Sequence, residues 1–349
     1  MNEITTQKSA HATTVGVVVI GRNEGERLKR CLHSLVNSVD LMVYVDSGST
    51  DGSVAFARSL GVDVVDLDLS KPFTMPRGRN EGFDRLIELK PDVDYVQFVD
   101  GDCEVEQGWI EIARQTLDEQ QKLVAVSGRR RERYPDASLY NYLCDIEWNG
   151  PTGITHNCGG DVLMRAQAFK EAGGFNAAMI AGEEGELTFR LRANGWQVCR
   201  LDVPMTLHDA AMTRFGQWWK RTLRAGHAYA EGMSLHGKSP ERYNVRPVIS
   251  CLVWGVGMPV FALLCLIASW FWLPAILGTI AVVGLTVMTW LRIMRHQWIK
   301  TRNVRKSMLF SMFCMLAKLP QAMGVAWFYR NHLRGTRSGL IEYKTATTS

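Results

Sequence analysis

Two aspartates separated by one glycine, Asp100 and Asp102, are the sharpest chemical signal in the sequence. They directly follow the apolar run 95–99, which has the length of a buried strand. Carboxylate oxygens are the ligands that hard divalent cations prefer, and the glycine between them leaves the backbone open to a bulky phosphate. The alternative is an ordinary Asp-Gly turn. The position at a strand end favours metal binding, because ligands of open α/β sheets bind beyond the carboxyl ends of the strands.

A second polar loop, 46–52, follows the apolar run 41–45. Its two acids among small hydroxyl residues suit a ribose or the edge of a base. The same residue types favour turns and helix caps, so this loop alone leaves both interpretations open. Two neighbouring strand ends that present carboxylates to one crevice together favour a ligand site.

The elements that would position these loops alternate between strands and helices. Strands are predicted at 15–20, 41–45, 63–67 and 95–99, and the first two are unbroken apolar runs. A helical pattern runs through Leu28, Cys31, Leu32 and Leu35, and further helices are predicted at 54–60, 81–89, 109–121 and 183–194. This alternation predicts an α/β fold with a mostly parallel sheet and helices on both faces. Residues 127–155 show no clear period, and 196–201 are expected to form an edge strand.

Composition indicates a globular protein with a membrane segment. Hydrophobic residues make up 46% and charged residues 21% of the 349 residues, which excludes disordered, collagen-like and coiled-coil classes. The 8 cysteines form no C-x-x-C pair and are expected to be reduced thiols. Residues 1–14 have no apolar signal-peptide core, so we expect a disordered start in the cytoplasm. Residues 247–291 contain no Asp, Glu, Lys or Arg, which excludes a purely soluble protein.

Two apolar segments, 248–268 and 271–291, are predicted to form a transmembrane hairpin. Each is long enough, at about 1.5 Å per residue, to cross a hydrocarbon core of about 30 Å. Lysines and arginines flank both ends of the hairpin, and the positive-inside rule places these ends in the cytoplasm. A third apolar stretch, 308–328, is interrupted by Lys318 and Pro320. We expect it to be an interfacial or re-entrant helix, and the alternative is a third crossing.

Six short motifs, taken in order, resemble the signature of family 2 glycosyltransferases with the GT-A fold. They are V-V-V-I-G-R-N-E at 17–24, V-D-S-G-S-T-D-G at 45–52, G-R-N-E-G at 78–82, D-G-D at 100–102, G-G-F at 173–175 and G-E-E-G-E-L at 182–187. The resemblance covers roughly residues 15–230. It comes from the order of the motifs and not from any single one.

The resemblance implies a nucleotide-diphospho-sugar donor. Its base and ribose would lie near Asn23, Glu24, Asp46 and Arg79. Mg²⁺ or Mn²⁺ on Asp102 would bridge the diphosphate, with Asp100 reaching the ribose or the metal. A divalent cation suits this reaction because it stabilises the charge that accumulates on the leaving nucleoside diphosphate.

Members of the family invert the anomeric centre by direct displacement, which needs one carboxylate base. By motif position the base is Glu184, where the family usually has Asp. Because Glu is one methylene longer, the neighbouring Glu183 stays open as the base, and an acidic helix start is the alternative role for both. Asp161 is a candidate for binding acceptor hydroxyls, or else a turn residue. His208 is a candidate third metal or phosphate contact, as a His is in some GT-A enzymes, or else an ordinary polar neighbour.

Residues 217–221, Gln-Trp-Trp-Lys-Arg, imperfectly resemble the Q-x-x-R-W element of processive polysaccharide synthases. We favour an interfacial helix, with Trp rings at the headgroup level and cations towards phosphate, although both uses can coexist. Two spans are too few to line a polymer channel, which disfavours a processive synthase.

These inferences predict a catalytic domain at 15–235, a linker at 236–247, the hairpin within 248–291 and a basic region with a further helix and tail at 292–349. The predicted activity is sugar transfer from a nucleotide-sugar donor to a lipid-linked or saccharide acceptor at the cytoplasmic leaflet of the inner membrane, in surface polysaccharide or glycolipid assembly. Membrane lipids are expected partners and nucleic acid is not. The rival functions are a nucleotidyltransferase, which the loop 21–25 suits poorly, and a non-catalytic membrane scaffold of the same fold.

Overall fold

The computed structural model describes residues 13–336 and 338–339. Most of the predicted disordered segment 1–14, and the end of the predicted tail from 340, therefore lie outside the described residues. The chain divides into two compact units. The first comprises Met1–Arg133, Trp148–Asn176 and Leu187–Asp209, and the second comprises Tyr134–Glu147, Ala177–Glu186 and Ala210–Ser349. The linear domain boundaries proposed from the sequence stay predictions.

One sheet forms the centre of the first unit. Its strands among the described residues are β1 Val15–Gly21, β2 Leu41–Asp46, β3 Asp63–Asp66, β4 Tyr95–Asp100, β5 Cys103–Val105, β6 Leu123–Glu132, β7 Gly153–Thr155, β8 Val162–Arg165 and β9 Gln197–His208. They lie in the order β3-β2-β1-β4-β8-β6-β9-β5, with β7 also paired to β9. The first four are parallel, whereas β8 is antiparallel to both of its neighbours. The predicted α/β sheet is therefore present, and it is mixed beyond β4.

Seven helices follow in the chain up to residue 193. They are α1 Glu26–Leu35, α2 Ser53–Ser59, α3 Met75–Leu89, α4 Trp109–Glu119, α5 Leu139–Trp148, α6 Ala166–Glu171 and α7 Glu183–Ala193. Strand β1 shows how they cover both faces of the sheet. Val17 and Val19 pack in one apolar cluster with α1 and α4, and Val18 and Ile20 pack in another with α3. The uninterrupted apolar run of β1 is explained by this burial on both sides.

Three elements differ from the sequence-based expectation. Helix α3 begins at Met75 and not at 81, because the Thr74 hydroxyl accepts a hydrogen bond from the Arg77 backbone N–H and caps the extra turn. The stretch 127–155, which has no clear period, contains the end of β6 and helix α5. The expectation of an edge strand at 196–201 is wrong, because β9 pairs with β5, β6 and β7 and lies inside the sheet.

The second unit contains the remaining helices. They are α8 Phe215–His236, α9 Val245–Leu252, α10 Met258–Ala268, α11 Ile276–Thr301, α12 Val304–Leu316 and α13 Lys318–Leu333, and a π-helical turn, Val253–Gly257, joins α9 to α10. Three helical stretches are long and apolar enough to cross a membrane, namely Val245–Ala268, Leu273–Thr301 and Val304–Leu333. Length and composition thus allow one crossing more than the two expected from the sequence.

Glycines let two of these helices approach closely. A Cβ on Gly226 of α8 would lie 2.0 Å from the Gln321 carbonyl oxygen, and a Cβ on Gly324 of α13 would lie 2.1 Å from the Leu223 carbonyl oxygen. The atoms that such a Cβ would meet belong to the main chain, so they cannot rotate away as the end of a flexible side chain could. A side chain at either position would therefore separate α8 from α13.

Candidate active site

Asp100 ends β4 and Asp102 lies in the turn that follows, where β9 brings His208 beside it. Strand β5 pairs antiparallel with the end of β9, with Cys103 opposite His208. As a result the His208 Nε2 atom lies 3.1 Å from the Asp102 Oδ2 atom, and both residues are buried. The structure thus brings together two of the three predicted metal ligands from distant parts of the chain.

His208 is held as a neutral imidazole. Burial and the positive charge of Arg130 lower its pKa to about 4, although nearby carboxylates oppose the change. The Trp148 ring stacks on the imidazole with 4.5 Å between ring centroids and 14° between ring planes. Among the described residues, no hydrogen-bond partner reaches His208 Nδ1. A neutral imidazole can bind a cation without first losing a proton.

Cys103 is a third potential ligand beside Asp102 and His208. Its sulfur lies 3.6 Å from Asp102 Oδ1. Burial and the nearby Asp161 raise the pKa of the Cys103 thiol well above its usual range, so the thiol stays protonated. A neutral thiol is a poor ligand for a hard cation such as Mg²⁺ or Mn²⁺. The oxygen and nitrogen atoms of Asp102 and His208 are therefore the better pair.

Asp100 faces two arginines. The Arg79 Nη2 atom lies 2.8 Å from Asp100 Oδ1, and the Arg130 Nη2 atom lies 3.9 Å from Asp100 Oδ2. Burial alone would raise the pKa of Asp100, but the two guanidinium groups outweigh this effect and hold it far below its usual range. Arg79 is itself buried, with its guanidinium 5.6 Å from the centre of the Phe175 ring. The predicted donor residues Arg79 and Asp100 thus form one ion pair, in which Arg79 is buried and Asp100 is partly exposed.

Asp161 lies beneath Asp100 and is 0% exposed. Its Oδ2 atom is 2.8 Å from Arg130 Nη2 and accepts a hydrogen bond of 2.7 Å from the Thr206 hydroxyl. Its Oδ1 atom accepts the Asp100 backbone N–H at 3.2 Å. With both oxygens engaged by the protein, Asp161 holds the site together, and its predicted contact with acceptor hydroxyls stays a prediction.

Asp46 and Asn23 order the first two strand-end loops. Asp46 accepts hydrogen bonds from the Tyr44 hydroxyl at 2.9 Å and from the backbone N–H groups of residues 48 and 49. Asn23, in the left-handed backbone region with φ 53°, accepts the Thr50 N–H at 2.7 Å and donates its own N–H to the Ser49 hydroxyl at 2.8 Å. These bonds join the loop after β1 to the loop after β2. Contact with a donor stays a prediction for both residues.

The remaining predicted residues lie at helix starts. Glu24, just before α1, pairs with Arg27 at 2.9 Å. Glu183 and Glu184 begin α7 and belong to the second compact unit. Glu183 is 1% exposed, whereas Glu184 is partly exposed. The structure therefore distinguishes these two candidates for the base by their access to solvent.

Sequence reasoning missed Arg130 and Trp148, which complete the site. The Arg130 guanidinium lies 5.6 Å from the centre of the Trp148 ring, so it contacts both the aromatic ring and Asp161. Arg130 stands in the run Arg129-Arg130-Arg131 near the end of β6. Because successive side chains of a strand point to opposite faces of the sheet, the strand pattern predicts that Arg130 points away from the face of Arg129 and Arg131. This alternation is the signal that could have identified Arg130. Trp148, at the last position of α5, gives no such signal.

The chain matches the sequence model described as glycosyl transferase family 2 over residues 16–173. This match supports the family 2 glycosyltransferase that the six motifs predict. Glycosyltransferase AglE of Haloferax volcanii is 22% identical over 69% of this chain and 79% of its own length. An uncharacterized glycosyltransferase of Rickettsia bellii is 38% identical over only 19% of this chain and 20% of its own.

A solved structure supports the fold. Mannosyltransferase PcManGT from Pyrobaculum calidifontis, in complex with GDP-Man and Mn²⁺, aligns over 91% of this chain and 88% of its own with a TM-score of 0.56. At 14% sequence identity this likeness concerns the fold alone. The predicted GT-A fold is confirmed, and the match to the sequence model supports the predicted family.

Proposed function

We propose that this family 2 enzyme transfers a sugar, with inversion, from a nucleotide-diphospho-sugar to a lipid-linked or saccharide acceptor at the cytoplasmic leaflet, in surface polysaccharide or glycolipid assembly. The observation that carries the proposal is the pairing of Asp102 with His208, 3.1 Å apart, beside the Asp100–Arg79 ion pair at the end of β4. A non-catalytic scaffold has no need of a buried, charged constellation at this sheet edge, because unpaired or strained buried charge is costly.

The pair fits a divalent cation. Adjacent ligands of an octahedral ion with bonds of about 2.1 Å lie about 3 Å apart, which is close to the separation of Asp102 Oδ2 and His208 Nε2. The mannosyltransferase of the same fold is solved with GDP-Man and Mn²⁺, and we infer the same classes of donor and ion here. When bound, a divalent cation would stabilise the charge of the departing diphosphate. Asp102 and His208 would hold it, with Asp100 kept ionised by its arginines.

The acceptor hydroxyl would attack the anomeric carbon from the face opposite the diphosphate, forming one carbon–oxygen bond as the other breaks. Glu184 would receive the hydroxyl proton. Its partial exposure supports this role over Glu183, which is 1% exposed and less accessible to an acceptor. Glu184 lies in the first turn of α7, a position where the helix dipole favours a negatively charged side chain.

Membrane attachment would come from the helical hairpin. The residues at its tip are among the most exposed in the chain, with Trp270 at 87%, Phe271 at 91% and Trp272 at 66%. Aromatic residues are typical of the membrane–water interface, so these three would anchor the tip at the far leaflet. The basic residues at the open end would then lie on the cytoplasmic side. We propose that α12 and α13 stay at that side as an interfacial or re-entrant pair.

The test is nucleotide release by the full-length protein in detergent with a panel of nucleotide sugars. We expect one donor to release nucleoside diphosphate with Mn²⁺ or Mg²⁺ and not with a chelator, and Asp102→Asn to abolish this release. Asp92→Asn, which changes an 83% exposed side chain, is the matched control and should behave as the wild type. Release of pyrophosphate from a nucleoside triphosphate would instead identify a nucleotidyltransferase. No release with any donor would favour the scaffold.

A further inference from the structure

The second unit contains a cavity of about 510 Å³ bounded by α5, α8, α11, α12, α13 and the stretch from α9 to the π-helical turn. Aromatic side chains form much of its wall, namely Trp218, Tyr229, Trp254, Phe310 and Phe313. Such a wall accommodates a hydrocarbon chain but does not select a polar ligand. The selectivity has to come from the few charged groups that line the same cavity.

Lys318 is the charged group that lacks a counterion. Among the described residues, no carboxylate lies within ion-pair distance of it, whereas the other cation of the cavity, Arg221, is held by both oxygens of Glu147 at 2.7 and 2.8 Å. Lys318 is also partly buried and lies in the middle of the apolar stretch Val304–Leu333. A lysine in such a stretch is costly, and one that faces a cavity indicates a binding site for an anion.

The depth of the cavity indicates the source of the anion. Ser250 and Trp254 line it from the beginning of the first apolar stretch, and Thr289 and Ile293 line it from near the end of the second. Under the proposed topology both of these ends lie at the cytoplasmic leaflet. This is the level at which lipid phosphate groups lie, with the acyl or prenyl chain extending into the membrane. Trp254 also stands in the π-helical turn, an irregularity found frequently at functional sites.

We propose that this cavity binds a lipid phosphate, with the phosphate on Lys318 and the first part of its chain against the aromatic wall. The proposal rests on the proposed function in one respect, since this lipid phosphate would anchor the lipid-linked acceptor whose hydroxyl group gives its proton to Glu184. Trp218 belongs to the Gln-Trp-Trp-Lys-Arg segment, so that segment would line a lipid site and not only lie at an interface. Glu147 would fix Arg221 beside the phosphate as a second, already oriented cation.

Binding is tested without donor, on full-length protein in detergent, by native mass spectrometry with three lipids: a polyprenyl phosphate, the polyprenol of the same length, and phosphatidylglycerol. We expect the polyprenyl phosphate to bind at least about tenfold more tightly than the polyprenol, since a hydrogen-bonded charge contributes about one factor of ten or more. We also expect it to bind more tightly than phosphatidylglycerol, because a phosphodiester lacks the second ionisable oxygen of a phosphomonoester. Equal binding of the polyprenol would overturn phosphate recognition. Equal binding of phosphatidylglycerol would overturn the acceptor assignment, and competition by inorganic phosphate would assign the site to a free anion.

Substitutions of Lys318 test whether this side chain binds the phosphate. We expect Lys318→Met to weaken binding of the polyprenyl phosphate about tenfold and Lys318→Arg to restore most of it. Lys300→Met, which removes the same charge from an exposed position outside the cavity wall, should leave binding unchanged. Size-exclusion profiles and melting temperatures check that each variant folds. Wild-type affinity in a folded Lys318→Met protein would refute the proposal. Because no donor is present, a failure of sugar transfer itself would show separately, in the nucleotide-release test.

Discussion

Replacing Asp161 by asparagine tests whether this buried carboxylate holds the acidic site together. The change keeps the shape of the side chain and removes its charge. Arg130, whose side chain is 14% exposed, then loses the negative charge 2.8 Å from its guanidinium, while the carboxylate of Asp100 stays at 3.9 Å. Removing one partner of a buried ion pair typically costs about 3–5 kcal/mol. Because the Asp100 carboxylate still partly balances the charge of Arg130, we expect a loss at the low end of this range, about 3 kcal/mol of unfolding free energy.

The measurement is the thermal unfolding of the full-length protein in detergent, followed by tryptophan fluorescence. At about 2–4 °C per kcal/mol for a domain of this size, Asp161→Asn should lower the melting temperature of the first unit by about 6–12 °C. Asp92→Asn, on the surface, should change it by no more than about 2 °C. The double variant Asp161→Asn/Arg130→Met should melt above Asp161→Asn alone, because it no longer leaves a buried cation without its partner. A melting temperature of Asp161→Asn within about 2 °C of the wild type, or strictly additive losses in the double variant, would refute this role.

Three further predictions concern the base, the helix packing and the topology. Glu184→Gln should keep donor affinity and lose roughly a hundredfold to ten-thousandfold in transfer rate, whereas Glu183→Gln should not; the opposite result would exchange their roles. Gly226→Ala should lower the melting temperature of the second unit, because its Cβ would lie 2.0 Å from a carbonyl oxygen of α13. The control is Gly284→Ala, whose Cβ would meet nothing within 4 Å. Equal melting temperatures of the two variants would contradict the tight packing of α8 on α13. A reporter that fluoresces only in the cytoplasm, fused after Ser349, should be bright, and a dark reporter would indicate that 308–328 crosses the membrane.

The sequence by itself determined the features that depend on local pattern. A strand buried on both faces is predominantly apolar, so β1 and β2 are evident as apolar runs, and β4 is evident although it contains the buried Gln97. The acids after β2 and β4 follow because strand ends leave the core. Apolar length and the absence of charge likewise indicated the membrane segments. Boundaries were less certain where one side chain decides them, as the Thr74 cap does for α3.

Tertiary structure alone decided which distant residues meet. His208 comes beside Asp102 because β5 pairs antiparallel with β9, and no local pattern encodes that register for two residues 106 positions apart. The pairing of β6 with β9 and β8 likewise carries Arg130 to Asp161. Strand pairing is chosen by the sum of side-chain packing over the whole sheet, so its result is not visible in any one segment. Lys318 is a further example. The sequence alone shows that this lysine interrupts an apolar stretch, but the cavity that it lines is formed by helices far apart in the chain.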